Sequence, residues 1–390
     1  MKPETDEMLE LSIVMPCLNE AETIDTCIHK AQMFMDINNI VGEVVIGDNG
    51  STDGSVEIAE RLGARVVHVE EKGYGSALIG GITAAKGKFV IMGDSDDSHD
   101  LLHLLPFVEK LRAGYDFVVG NRFSGNTKNE DISYFHRSIG NRALTMVGRV
   151  FFTNKIGDFH CGLRGMTKAA FIKMDLRTTG MEFASEMIVK ANYKGLKLTD
   201  VPTEIFPSGR SRAPHLRPFR DGWRHLRFLL LYSPRWLFLY PGLTLILAGL
   251  LVGLWLLPGT KYSLDVHTML FASAAITMGM QSVSFAILTK TFAVHQGLLP
   301  EHPMLSKMLR FMTLEKGILI GGLMMILGII GTLYALSLVG SGEFNNFGIS
   351  STMRLVIVSV TLLMIGSQLI FSAFFYSILA LKTGKKKDTY

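Results

Sequence analysis

From Leu11 to about Gly120, short runs of aliphatic and β-branched residues alternate with stretches of helical periodicity. LSIVMP, VGEVVIGD, ARVVHV, KFVIMGD and YDFVVG read as strands, and the intervening segments, starting near Ala21, Ser55, Tyr74 and Leu101, read as helices. This alternation predicts an α/β fold, a mostly parallel sheet covered on both faces. Between Asn121 and Pro207 the pattern loosens into loops and helices and closes on a further strand, LTDVPTEIF.

The character of the chain then changes. Arg210, Arg212, Arg217, Arg220, Arg224, Arg227 and Arg235 are mixed with Trp223, Phe228, Leu229, Leu230 and Trp236, a pattern expected of a helix lying in the headgroup layer of a membrane. Four apolar stretches follow, near 237–257, 268–289, 317–339 and 355–381, each close to the ~20 residues that cross a bilayer as a helix. None contains Asp, Glu, Lys or Arg. The expected organisation is an α/β domain over 1–207, an amphipathic segment over 208–236 and an all-α membrane domain over 237–390. Basic residues flank the first span, the middle connection and the C-terminal KTGKKK, so both termini and the α/β domain are expected on the cytoplasmic side, by default of a bacterial cytoplasmic membrane.

Composition narrows the function. The 390 residues are 48% hydrophobic and 19% charged, which excludes a wholly soluble protein. A formal net charge of +4 is too small for a protein that neutralises a nucleic-acid backbone. Cys17, Cys27 and Cys161 show neither metal spacing nor an even disulfide set, which fits a reducing compartment. The polar start MKPETDEMLE has no signal-peptide pattern.

Ligands of open α/β sheets bind beyond the carboxyl ends of the strands. Three of those ends are strongly polar: PCLNE, DNGSTDGS and DSDDSHD. In the last, Asp94 and Asp96 stand two positions apart at a strand end, hard oxygen ligands suited to Mg²⁺ or Mn²⁺ carrying a diphosphate. The plainer reading is an acidic turn capping the next helix. In PCLNE and beyond, Asn19 and Glu22 have the spacing of a capping box, and KGYGSA precedes a helix whose N-terminus is expected to face phosphate.

Together with VVGNRF, RSIGN and DFHCGLRG, these motifs resemble, over roughly Leu11 to Arg235, the family 2 glycosyltransferases of GT-A fold. Within them the chain is most similar to the dolichol-phosphate mannose synthase-like enzymes that glycosylate a polyprenyl phosphate. The resemblance implies a nucleotide-binding set of Pro16, Leu18, Glu20, Asp48, Gly73, Asp94, Ser95 and Asp96, with Asp48 reading the base edge and Asp94 and Asp96 holding the metal. It implies a catalytic set of Asp94, Asp96, Arg122 and Arg137. On the acceptor side it implies Arg122, Arg137, Asp158 and Arg164, with Gly162 in the same segment; Arg210 and Arg212 are expected to attract lipid phosphate. Two positions depart from the pattern: Asn49 stands where many relatives have a second acid, and Ser98 where Gln is frequent. No QxxRW segment is present, which disfavours a polymer synthase.

The expected reaction moves one sugar from a UDP- or GDP-linked donor to a polyprenyl phosphate, with inversion. A phosphate monoester, with a second pKa near ~6, needs no strong base. A hydroxyl-bearing lipid acceptor would need one, for which Asp97, Asp158 and Glu186 are the candidates. A lipid transporter with a nucleotide-sugar-binding regulatory domain is a third reading, disfavoured by the absence of intramembrane ionisable groups. Gly249 with Gly253, and Gly317 with Gly321, have the GxxxG spacing of close helix contacts, within one chain or in a homo-oligomer.

Overall fold

The computed structural model describes residues 9–124, 132–153, 155–211, 218–257, 265–295, 299, 313–340 and 349–380. They form two compact units, dividing after Leu229.

In the first unit seven strands run in the order β3-β2-β1-β4-β6-β5-β7. They are β1 Leu11–Cys17, β2 Gly42–Asp48, β3 Arg65–His68, β4 Phe89–Met92, β5 Phe117–Asn121, β6 Arg164–Thr167 and β7 Leu198–Pro202. All neighbours are parallel except β6, which is antiparallel to both β4 and β5. The α/β expectation therefore holds. β1, β2 and β4 are buried almost throughout, as continuous apolar runs in a parallel sheet must be when helices cover both faces. Strand β6 has no counterpart in the sequence reading, because RGMT contains neither alternation nor an apolar run. Its pairing comes from the strands on either side.

Helices α1 Ile24–Ile37, α2 Ser55–Arg61, α3 Tyr74–Ala84, α4 Leu105–Arg112, α5 Ile132–Phe151, α6 Lys168–Met174 and α7 Phe183–Tyr193 complete the sheet's cover. α3 lies so close to β2 that a methyl group on Gly47 would sit 2.2 Å from the Ala77 carbonyl oxygen. α1 starts at Ile24 without a side-chain cap, so the expected capping box is not formed. Asn19 instead accepts from the Thr52 amide, and Glu22 accepts from Ser211. The three cysteines are free and buried.

Helix α8, Pro218–Leu231, is amphipathic as expected. Its His225, Phe228 and Leu229 are buried, and Trp223 and Leu231 are exposed. Within the second unit a π-type turn, Arg235–Leu239, runs into α9 Tyr240–Leu256, which is followed by α10 Asp265–His295, α11 Leu314–Gly340 and α12 Ile349–Ala380. The π-type turn and α9 together, and each of α10, α11 and α12, are long and apolar enough to cross a membrane. Glycines set two close approaches among them. Gly242 and Gly279 face each other between α9 and α10, and a methyl group on either Gly321 or Gly366 would sit 2.6 Å from the other's carbonyl oxygen. Gly249, Gly317 and Gly321 thus pack against helices of the same chain, whereas Gly253 has only Ala272 at the edge of contact.

Candidate active site

The polar ends of β1, β2 and β4 meet at the carboxyl edge of the sheet. Ser95, buried, donates to the Pro16 carbonyl at 2.6 Å, and its own carbonyl accepts from Thr23 at 2.7 Å, so the turn after β4 is tied to the loop after β1. Leu18 is partly exposed on that loop. The two flanking acids, Asp94 and Asp96, have separate partners.

Asp94 is held from two sides. Tyr74 donates to one oxygen at 3.0 Å and His99, 2% exposed, meets the other at 3.1 Å. Burial pushes the Asp94 pKa up, but the bond and charge of His99, the Tyr74 hydroxyl and the Arg210 charge outweigh it and hold the carboxyl below its ordinary 3.8. Burial and the adjacent carboxylate keep Tyr74 protonated, and so a donor. Gly162 closes over this pair. A methyl group there would sit 2.8 Å from Asp94 Oδ2 and 2.9 Å from His99 Nε2. Gly162→Ala is therefore expected to displace the Asp94 carboxylate and lower turnover about 10- to 100-fold while the melting temperature changes little, as steady-state kinetics and calorimetry will show.

Asp96 accepts from the Ser98 amide at 3.1 Å and pairs with Arg210, which also donates to Glu20 at 2.8 Å. Arg210, expected on the acceptor side, thus lies on Glu20 and Asp96, two acids expected on the nucleotide side. Arg212, named with it, falls outside the described residues. Asp97, with φ of 58°, turns away to Lys30 of α1 at 2.6 Å.

The loop after β2 is organised by Asp48. Its carboxylate accepts from the Gly50 and Ser51 amides and lies 3.3 Å from His68. Burial acts against the charge, but these hydrogen bonds win and lower the pKa below 3.8. Asn49 explains its own departure from the family pattern: its amide donates to the Val69 and Glu71 carbonyls and accepts from the Gly73 amide, a combination a carboxylate cannot make. The expected phosphate seat at the start of α3 is filled by the chain itself. The Gly75 and Ser76 amides donate to the Thr179 carbonyl, and a methyl group on Gly73, at φ 136°, would meet that oxygen at 2.2 Å. Gly73 serves this close approach.

Thr179 is delivered by Glu186. That fully buried carboxylate accepts from the Arg177 amide and from the Thr178 amide and hydroxyl, and pairs with Lys190 at 2.8 Å.

At the end of β5, Arg122 makes a forked pair with Asp158, Nε to Oδ2 at 2.5 Å and Nη2 to Oδ1 at 3.0 Å. Asp158 is fully buried and also accepts from the His160 amide, so it orients Arg122 from beneath. Arg164 is fully buried as well. Its guanidinium donates to the Phe159, Cys161 and Ala184 carbonyls, and burial lowers its pKa to about 10, leaving it charged. It locks the 158–164 segment against α7 in place of reaching out to an acceptor. Arg137 lies in α5, with its side chain outside the described residues.

His160 has both ring nitrogens shielded and without a hydrogen-bond partner among the described residues. Burial first, then the positive charge of His225, Arg122 and Arg164, hold its pKa well below 6.5. The unfolded chain therefore binds a proton below pH 6.5 that the folded chain refuses, and stability falls as pH falls through that value. His160→Gln is expected to flatten the acid limb of a melting-temperature profile.

A mostly parallel sheet with paired acids at its carboxyl edge is carried on a chain with four apolar helices long enough to cross a membrane. The comparisons specify it further. The glycosyl transferase family 2 pattern matches residues 12–175, and the glycosyltransferase family 2 C-terminal transmembrane region matches residues 287–380. The chain is 32% identical over 380 residues to the low-salt glycan biosynthesis hexosyltransferase Agl6 of Haloferax volcanii, covering 96% of this chain and 90% of that one. It is 28% identical over 217 residues to the dolichyl-phosphate hexose transferase of the same organism, covering 55% and 89%. Among solved structures, glucosyl-3-phosphoglycerate synthase from Mycobacterium tuberculosis with Mn²⁺, UDP and phosphoglyceric acid superposes with a TM-score of 0.43 at 22% identity, over 57% of this chain and 76% of that one. The protein belongs to glycosyltransferase family 2 and is an integral membrane enzyme.

Proposed function

We propose that the protein transfers one hexose from a nucleoside-diphosphate sugar to a polyprenyl phosphate at the cytoplasmic face of its membrane, with inversion at the anomeric carbon. The observation that carries the acceptor assignment is the state of the candidate bases. Asp97 is paired with Lys30, Asp158 with Arg122, and Glu186 with Lys190 and the 177–178 backbone. An acceptor that arrives already ionised, as a phosphate monoester does, suits a site whose carboxylates are engaged in this way. The likeness to a protein named dolichyl-phosphate hexose transferase supports the same reading.

The residues divide the work. Asp94 and Asp96 fit Mg²⁺ or Mn²⁺, because the structure already places a cation, the Arg210 guanidinium, on Asp96. No group of three or more His, Cys, Asp or Glu able to hold a metal occurs among the described residues, so Asp94 and Asp96 would hold it together with the donor's phosphate oxygens and water. The metal supplies charge stabilisation of the departing diphosphate. Pro16, Leu18, Glu20 and Asp48 line the nucleotide side, with Ser95 and Gly73 shaping it. Arg122, oriented by Asp158, and Arg137 hold the acceptor phosphate in line. The 158–164 segment couples the two sides, since its first residue binds Arg122 and its Gly162 packs on Asp94.

Mass spectrometry of lipid extracts tests the reading. Incubation with undecaprenyl phosphate and the correct donor yields a lipid one hexose heavier, and transfer to diacylglycerol instead would overturn the acceptor assignment.

A further inference from the structure

After β7 the chain crosses the acidic turn that follows β4. The Phe206 amide donates to the Ser98 carbonyl at 2.9 Å and the Gly209 amide to the Asp96 carbonyl at 3.0 Å. The Ser208 hydroxyl also reaches the Asp96 carbonyl, and it braces the Arg210 Nε at 3.0 Å. Arg210 then places Nη1 on Glu20 and Nη2 on Asp96, with its side chain only 12% exposed. One residue on, Ser211 is fixed to the Glu22 carboxylate through both its amide and its hydroxyl, each at 2.6 Å. The segment 206–211 is thus anchored on both sides of a guanidinium that covers the second acid of the pair.

Asp96 Oδ2 cannot serve a divalent cation and this guanidinium together without bringing two positive centres into contact in a shielded site. We propose that Arg210 is the resident counter-ion of Asp96 and Glu20 and makes cation binding conditional on the donor, the cation entering only with a nucleoside diphosphate whose phosphates take Arg210 over. The inference rests on the reading of Asp94 and Asp96 as metal-bearing acids. Its chemistry is an exchange of partners with no covalent step: Asp96 passes from guanidinium to cation, and the guanidinium passes from carboxylates to phosphate, for which its forked donors are equally suited. Linkage makes the effect reciprocal, so the cation tightens the nucleotide by the same factor that the nucleotide tightens the cation.

Mn²⁺ binding to the full-length protein in lipid nanodiscs, followed by electron paramagnetic resonance with and without UDP or GDP, tests this. The wild type is expected to bind Mn²⁺ weakly alone and about tenfold or more tightly with the matching nucleotide. Arg210→Gln is expected to bind Mn²⁺ alone about tenfold more tightly than the wild type and to gain less from nucleotide. Glu22→Gln, which loosens the segment and leaves Arg210 and both acids in place, shifts binding in the same direction by a smaller factor; it keeps the test open if the first variant does not fold. Unchanged Mn²⁺ affinity in both variants, with the nucleotide effect intact, overturns the role of Arg210 and leaves the metal reading standing. Absence of Mn²⁺ binding in wild type and variants with either nucleotide overturns the metal reading, and the counter-ion role with it.

Discussion

Asp96→Asn is expected to lower turnover about 10³-fold without unfolding the protein, the size of loss seen when a preorganised charge is removed from a transition state. The substitution keeps shape and retains an oxygen for the Ser98 amide, which the carboxylate accepts at 3.1 Å. The new amide nitrogen then faces Arg210, donor against donor, and brings no charge to a cation. Asp94 remains in place between Tyr74 and His99, so one ligand survives and the site keeps its form. The measurement is product formation under saturating donor and lipid, with the melting temperature as a control for folding. Turnover within a few-fold of wild type would remove the metal role from Asp96.

Arg122→Gln is expected to act on the other substrate. Its kcat/KM for the lipid acceptor should fall by about 10²- to 10³-fold while donor affinity, measured by nucleotide titration, stays within a few-fold of wild type. The geometry separates these effects because Arg122 sits at the end of β5, whereas Glu20, Asp94 and Asp96, the acids proposed to serve the donor, follow β1 and β4. Asp158→Asn offers an internal check. It leaves Arg122 in place but withdraws the buried partner that orients it, so the acceptor effect should be smaller, while both variants lose about 3 kcal/mol of stability, as expected when one member of a buried pair is removed. A loss of donor affinity in Arg122→Gln equal to the loss of acceptor efficiency would contradict the division of roles.

Much of this arrangement is legible in the sequence, where a local pattern carries the information. The buried strands β1, β2 and β4 announce themselves as apolar runs followed at once by polar groups, and the rule that ligands sit beyond strand ends points to the candidate site from sequence alone. The four spanning helices are equally plain. What sequence does not show is which polar group satisfies which. Arg164 and Asp158 belong to a motif read as lining the acceptor side, yet both are fully buried, one holding three carbonyls and the other orienting Arg122. The N-terminus of α3 looks open to phosphate in a linear reading, and only the packing of Thr179, held by Glu186 more than a hundred residues away from it in the chain, shows that it is closed. The support that His99 and Tyr74 give Asp94 is not evident from sequence, whose signals are only a histidine five positions past the acid and a tyrosine within the glycine motif. Arg210 is the clearest case, because its partners Glu20 and Asp96 lie 190 and 114 residues away. A basic residue next to a membrane segment suggests lipid phosphate, and only the return of the chain over the acidic turn shows that its partners in the fold are Glu20 and Asp96.

The central claim, donor-dependent glycosylation of a lipid phosphate, is tested most directly by release of nucleoside diphosphate from the purified full-length enzyme in detergent. The assay presents UDP-, GDP- and TDP-sugars with and without undecaprenyl phosphate, in Mg²⁺ or chelator. Release that requires both the metal and the lipid phosphate, and that occurs with one class of donor, is the predicted result. Release that continues undiminished without the lipid phosphate, or in chelator, would contradict it.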